Sequence, residues 1–170
     1  LLPIYARDIL KIGPEGLGVL RAAPAVGATV TALWMTRRPL NGAIGKKLFF
    51  ALLGFGITII IFGISKEPIL SVAMLALGGA FDSVSVIVRA TLLQLSTPNE
   101  MRGRVEAVNM MFIGSSNEIG AFESGLAARL LGVVRSIIFG GTMTLLSVAV
   151  TSRIAPKLWK LLFEELMAQV

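Results

Sequence analysis

Charged side chains within otherwise apolar stretches are the strongest chemical signal in this sequence. Asp82 and Arg89 lie seven positions apart, which is close to two turns of an α-helix, so a helix places them on one face. A charged side chain at the centre of a bilayer costs about 3 kcal/mol on insertion scales, and such residues often mark the pathway of a substrate or of protons. The structural interpretation is that each charge has a partner inside the protein or lies near a membrane boundary.

A second polar stripe lies further along the chain. Asn109, Ser116 and Glu123 repeat at intervals of seven residues. We expect this stripe to face an interior cavity, because a helix that carries it cannot face lipid on every side. Glu118 lies off the stripe and is predicted to make a separate polar contact. The candidate substrate or proton pathway comprises Asp82, Arg89, Asn109, Ser116, Asn117, Glu118 and Glu123.

Two residue types that carry much of enzyme chemistry are absent from the sequence. It contains no Cys and no His, which excludes thiol nucleophiles, disulfides, imidazole bases and metal sites built from these ligands. The glycine-rich segment 13–18 lacks the Lys-Ser/Thr ending of a phosphate-binding loop. We therefore predict that the protein is not an enzyme and has neither a metal site nor a cofactor.

The composition is typical of a membrane protein. Of 170 residues, 55% are hydrophobic and 15% are charged, whereas soluble domains have about 25% charged residues. The net charge of +6 indicates basic cytoplasmic loops when it occurs in a chain this apolar. A soluble nucleic-acid-binding protein would also use this charge, but residues 48–65 contain no charged side chain. We expect a lipid bilayer, and not nucleic acid, as the partner.

The chain is long enough for about five complete membrane spans, because one spanning helix uses about 20 residues. We predict an all-α polytopic membrane helix bundle over residues 16–155. Residues 1–12 are interpreted as the end of a truncated transmembrane helix, and residues 156–170 as a cytoplasmic amphipathic tail. The predicted spans are residues 17–35, 48–65, 69–95, 105–131 and 134–154.

Basic residues are distributed unequally between the two sides of the predicted bundle. Nine Lys and Arg residues lie on one side and five on the other. The richer side is predicted to be cytoplasmic, and it includes the C-terminus. The candidate cytoplasmic-loop residues are Arg37, Arg38, Arg102 and Arg104.

Small residues recur at four-residue spacing in two predicted spans. Membrane helices pack closely through such residues, so each stripe is predicted to be a packing face. The two stripes are Ala23, Gly27 and Thr31 in the first span, and Ser136, Gly140 and Thr144 in the fifth.

Several segments resemble the second half of a known membrane-protein family. Residues 1–10 (LLPIYARDIL), 13–18 and 20–28 look like helices seven and eight of major facilitator superfamily exporters. Residues 96–105 (STPNEMRGRV) resemble the loop between helices ten and eleven, and residues 116–125 (SNEIGAFESG) resemble helix eleven. The similar branch contains the enterobactin exporter and bacterial drug:proton antiporters. The resemblance implies a C-terminal six-helix half whose helices eight to twelve are the five spans.

One loop departs from the family pattern. The resemblance implies a signature between helices eight and nine that combines Gly, Asp-Arg and further basic residues. Residues 37–47 keep the positive charge but lack the Asp. A role of this loop as a conformational latch is therefore not supported by its sequence.

The resemblance implies a secondary active transporter that exports a drug or siderophore by proton antiport across the bacterial inner membrane. Its implied partners are a missing N-terminal six-helix half, a small-molecule substrate and protons. Since a midplane site needs both halves, the chain alone is expected to insert but not to transport. The alternative that stays open is a non-transporting membrane-embedded subunit, or a degenerate remnant, that acts as an interaction partner.

Overall fold

The computed structural model describes residues 1–37 and 44–154. Within these ranges the regular structure is entirely helical, which confirms the predicted all-α fold. The α-helices are α1 (Leu2–Asp8), α2 (Pro14–Arg37), α3 (Ile44–Ile64), α4 (Pro68–Leu95), α5 (Arg102–Leu131) and α6 (Val133–Ile154). A short 3₁₀ helix, Asn99–Met101, precedes α5. The predicted tail, residues 156–170, lies outside the described residues.

Proline and glycine set several helix boundaries. α2 begins at Pro14 and α4 begins at Pro68, where the fixed φ of proline suits a helix start and its missing N–H leaves no bond unmade. Gly132 separates α5 from α6 with a φ of +84°. Glycine enters that region at little steric cost, so a one-residue turn is possible there.

The predicted spans match the observed helices closely. Each of the five predicted segments overlaps one helix from α2 to α6, with boundaries that differ by at most four residues. α2, α3, α4 and α6 are long and apolar enough to cross a membrane. The prediction of about five complete spans is therefore confirmed for four helices.

α5 differs from the other four long helices. Its 30 residues exceed the length of a span, but it is not among the described helices that are apolar enough to cross a membrane on their own. The physical reason is the polar content that the sequence shows between Asn109 and Glu123. Such a helix requires protein or water along part of its surface.

The helices pack in a fixed order. α4 lies between α2 and α3, α3 also packs on α6, and α5 packs on α6. α1 contacts both α2 and α6. Successive long helices run in opposite directions, so the bundle has two ends. We call the end with the α2 C-terminus and the α5 N-terminus the basic end, and the end with α1 the outer end.

The closest helix crossing joins α2 and α4 through glycines. A Cβ atom at Gly27 would collide with the carbonyl of Ala76, and one at Gly79 would collide with the carbonyl of Pro24. The Ser83 hydroxyl also donates a hydrogen bond of 3.3 Å to the Ala28 carbonyl across this crossing. The predicted packing role of Gly27 is therefore confirmed.

The predicted small-residue stripe of α6 is wrong in part. Ser136 is buried, but Gly140 is exposed and a Cβ there would meet nothing within 4 Å. Gly141 instead packs against Ile60 and the Gly56 carbonyl of α3. The reason is that α6 lies between α3 and α5, so it uses two packing faces where the pattern predicts one.

Candidate functional site

Asp82 and Arg89 lie on the exposed side of α4. The buried side of this helix carries Ser71, Leu75, Gly78, Ser85 and Val88. Asp82 and Arg89 are both exposed, so they share a side of the helix as their spacing predicts. No described helix covers that side. Their predicted shielding by protein therefore stays a prediction.

Polar contacts of these two residues are sparse. The Arg89 guanidinium Nε donates a hydrogen bond of 3.3 Å to the Ser85 carbonyl, one turn earlier in the same helix. Among the described residues, the ion pair within 4 Å is Arg7 with Asp8 at 2.7 Å, near the outer end. Asp82 thus has no basic partner in the described part of the chain.

The polar stripe of α5 lies mostly on exposed positions. Asn109 is half-buried, whereas Ser116 and Glu123 are exposed. The main interhelical contact of α5 within the described ranges is with α6, where the Ser136 hydroxyl donates a weak 3.4 Å hydrogen bond to the Ser124 carbonyl. That the stripe faces an interior cavity stays a prediction.

Glu118 lies on the other side of α5. It follows Asn109 by nine residues, which is about half a turn around the helix axis at 3.6 residues per turn. Met111 and Phe122 share this side and are 72% and 74% exposed, respectively. The predicted separation of Glu118 from the stripe agrees with this helical geometry.

The polar residues of α4 and α5 lie at matching distances from the basic end. At a rise of about 1.5 Å per residue, Asp82 is about 20 Å from the α4 C-terminus and Ser116 is about 21 Å from the α5 N-terminus. By the same rise, Arg89 and Asn109 are both about 10 Å from that end. α4 and α5 do not pack extensively on each other within the described ranges. Their polar residues thus form two levels on helices that do not pack extensively on each other.

The basic end carries most of the candidate loop residues. Arg37 ends α2, while Arg102 and Arg104 lie in the first turn of α5 and not in the preceding loop. All three are exposed. The Arg102 Nε donates a hydrogen bond of 3.3 Å to the Thr97 carbonyl, which ties the helix start to the loop. Arg38 lies outside the described residues.

The outer end contains an open cleft between α1 and the turn that joins α5 to α6. Its volume is about 330 Å³. Charged and apolar side chains line it together: Ile4, Asp8, Ile9, Leu131, Gly132, Val133, Val134 and Arg135. Sequence analysis missed this cleft, because its two walls are separated by more than 120 residues.

Clusters of carboxylates that could hold a metal ion are absent from the part of the chain that the structure describes. The acidic groups of α4 and α5 lie on separate, loosely associated helices. The expected absence of a metal and of a cofactor stays a prediction.

Long apolar helices with polar side chains on their uncovered faces are typical of a polytopic membrane protein. The chain belongs to the transmembrane secretion effector family of the major facilitator superfamily, which matches residues 1–164. This finding confirms the resemblance to major facilitator superfamily exporters.

Curated relatives give the same assignment. The chain is 30% identical over 149 residues to the enterobactin exporter EntS of Shigella flexneri and to EntS of two Escherichia coli strains, O139:H28 and O9:H4. The aligned region is 87% of this chain but only 36% of each relative. The chain therefore spans about a third of the length of these relatives. No solved structure matches it.

Proposed function

We propose that this chain forms part of the transmembrane pathway of a proton-driven exporter of a small molecule, such as a drug or a siderophore, in the bacterial inner membrane. The observation that carries the proposal is the pair of polar levels on α4 and α5, within a member of a family of membrane secretion proteins. Charged side chains in apolar helices are costly and usually functional. The exporter function of the relatives supports the proposed direction of transport.

The mechanism that we propose is alternating access. A second six-helix half faces this one across a site near the membrane midplane, and the two halves rock about the bound substrate. Asp82 is the group that binds and releases the proton, because a carboxylate can be neutralised in the membrane whereas the Arg89 guanidinium stays charged. Arg89 lies closer to the basic end and fixes the position of α4 there. No covalent step is involved.

The stripe of α5 supplies the polar wall of the same pathway. Asn109 and Ser116 lie at the levels of Arg89 and Asp82, so they offer hydrogen-bond donors and acceptors at those two heights. Glu123 extends the stripe toward the outer end. Glu118 lies off this stripe and is proposed to make a separate polar contact. The substrate therefore meets polar groups along α5 over about four helical turns.

The test of this function measures efflux from the complete gene product that contains this chain. Proteoliposomes loaded with a fluorescent drug or with enterobactin receive a proton gradient of defined sign. We expect Asp82→Asn to reduce gradient-driven transport at least ten-fold at unchanged folded yield, and Arg89→Ala to lower the folded yield. Glu15→Gln, an exposed outer-end variant, is the matched control and should transport normally. Gradient-dependent transport by Asp82→Asn at the wild-type rate would remove Asp82 from the coupling mechanism.

The proposed orientation places the basic end in the cytoplasm. Its exposed basic residues include Arg37, Arg102 and Arg104, and positive residues are retained on the cytoplasmic side. Because the sequence contains no Cys, single cysteines can be introduced without background. We expect an impermeant thiol reagent outside intact cells to label Lys66→Cys and to leave Asn99→Cys unlabelled. The reverse pattern would contradict the orientation but not the transport function.

A further inference from the structure

Tyr5 is the centre of a buried polar contact at the outer end. Its side chain is fully buried, and its hydroxyl lies 2.6 Å from the Phe62 carbonyl and 2.5 Å from the Ser65 carbonyl. The Tyr5 ring also lies against the Phe62 ring, with 4.6 Å between the centroids. One side chain of α1 therefore contacts the end of α3 through both its polar and its apolar parts.

The two carbonyls lie at the end of α3, where the Phe62 carbonyl also accepts a 3.2 Å hydrogen bond from the Ser65 N–H. The last four carbonyls of an α-helix have no intrahelical N–H to accept from, and leaving them unpaired in an apolar environment is costly. α3 ends at Ile64, so Phe62 belongs to its last turn and Ser65 follows it directly. A phenol has one hydrogen to donate, so the Tyr5 hydroxyl caps this helix end by sharing that hydrogen between two acceptors.

Serine hydroxyls extend the contact into α4. The Ser71 hydroxyl lies 3.1 Å from the Ser65 hydroxyl, and both residues are buried. The Ser65 hydroxyl also donates a 3.1 Å hydrogen bond to the Glu67 carbonyl within the α3–α4 turn. The polar contact thus joins α1, the end of α3, the turn and the first part of α4.

α1 has one buried side and one open side. Its side with Tyr5 and Ala6 is buried, whereas its side with Ile4 and Asp8 lines the outer cleft. The Tyr5 side of α1 is therefore buried in the bundle, where α1 also contacts α2 and α6, while its other side borders the cleft.

We propose that the Tyr5 hydroxyl is a latch that fixes α1 to the outer ends of α3 and α4. Loss of this contact would release α1 from the α3–α4 turn. This inference concerns the outer end alone and does not depend on the proposed proton pathway.

The first experiment measures amide hydrogen exchange of the whole chain in lipid nanodiscs. Tyr5→Phe keeps the ring contact with Phe62 but removes the hydroxyl. We expect exchange in residues 5–12 and 62–71 to accelerate about ten-fold, as loss of one buried hydrogen bond predicts, while α6 stays unchanged. The matched control is Thr142→Val, which removes a hydroxyl that bonds its own helix at 2.8 Å. Unchanged exchange in Tyr5→Phe, or an equal increase in the control, would overturn the latch.

The second measurement uses the wild-type chain and so does not require that a variant folds. Tyr5 is the one tyrosine in the sequence, so a chain labelled with ¹³Cζ-tyrosine gives a single resonance. A latched hydroxyl exchanges its proton slowly, and its resonance should split in mixed H₂O and D₂O. A single averaged line would show a freely exchanging hydroxyl and contradict the proposal.

The third measurement tests whether α1 stays attached to the α3–α4 turn. Spin labels are placed at Ile4 and at Lys66. We expect a narrow distance distribution in the wild-type chain, and Tyr5→Phe should broaden it. A distribution that is already broad in the wild-type chain, or that Tyr5→Phe leaves unchanged, would contradict the latch.

Discussion

α3 and α5 are both long enough to cross a membrane, but α3 is packed inside the bundle, whereas α5 carries polar side chains and is mostly exposed. α3 contains eight buried residues and packs on α4 and α6. None of the 30 residues of α5 is buried, and its extensive interhelical contact within the described ranges is with α6. The helix that is rich in polar side chains is thus the one that the rest of the bundle holds least. This division keeps the costly polar groups out of the packed core.

The packed region should respond most strongly to a small change in volume. Gly79 lies at the α2–α4 crossing, where a Cβ atom would collide with the Pro24 backbone carbonyl. Because the obstacle is backbone and not a flexible side chain, we expect Gly79→Ala to destabilise the folded state by about 3 kcal/mol. Unfolding in mixed detergent micelles, followed by circular dichroism, measures this loss.

The same substitution in α5 provides the matched control. A Cβ at Gly114 would meet nothing within 4 Å, and alanine favours a helix over glycine by about 1 kcal/mol. Gly114→Ala should therefore leave stability unchanged or raise it slightly. Equal destabilisation by the two variants would show that α5 is as tightly packed as α4, and the contrast between the regions would fail.

Within α5, the two carboxylates should have unequal effects on transport. Glu123 continues the stripe of Asn109 and Ser116, whereas Glu118 lies on a different side of the helix. In the complete gene product we expect Glu123→Gln to reduce pH-dependent efflux several-fold and Glu118→Gln to reduce it less. Efflux that survives Glu123→Gln and is abolished by Glu118→Gln would exchange the two roles. Initial rates at several external pH values measure the difference.

Much of the fold could be predicted from the sequence, because hydropathy and helix length are local properties. The uncharged segment 48–65 identifies most of α3, and the prolines mark the starts of α2 and α4. The unusual nature of α5 was also predictable, since polar residues at seven-residue spacing are visible directly. Element order and helix type thus follow from the amino-acid pattern.

Contacts between distant residues could not be predicted in the same way. Tyr5 contacts residues about 60 positions away, and no local pattern distinguishes it from any other aromatic residue near a helix end. Whether Gly140 or Gly141 packs against α3 depends on how α6 is placed between α3 and α5. The candidate site was predicted only as a set of side chains. The two polar levels could not be predicted, because they depend on where α4 ends and where α5 begins.

The smallest expected effect concerns the attachment of α5 to the bundle. The Ser136 hydroxyl of α6 donates a 3.4 Å hydrogen bond to the Ser124 carbonyl of α5. Ser136 is buried, whereas no residue of α5 is buried. The Ser136 hydroxyl is therefore a buried polar group that contacts the weakly packed helix α5. Interhelical hydrogen bonds in membranes contribute about 0.6 kcal/mol on average. Ser136→Ala should therefore lower the free energy of unfolding by less than 1 kcal/mol.

A local measurement is needed to detect so small a change. The Ser124 carbonyl already accepts from its own helix, so Ser136→Ala leaves no carbonyl without a donor, and the global fold should persist. We expect amide exchange in residues 120–131 to rise two- to three-fold, while exchange in α3 stays constant. Ser152→Ala is the control, because the Ser152 hydroxyl bonds within α6 itself, to the Ala149 carbonyl at 2.8 Å. If Ser136→Ala accelerates exchange in α3 as much as in α5, the two regions unfold together and α5 is not an independently held helix.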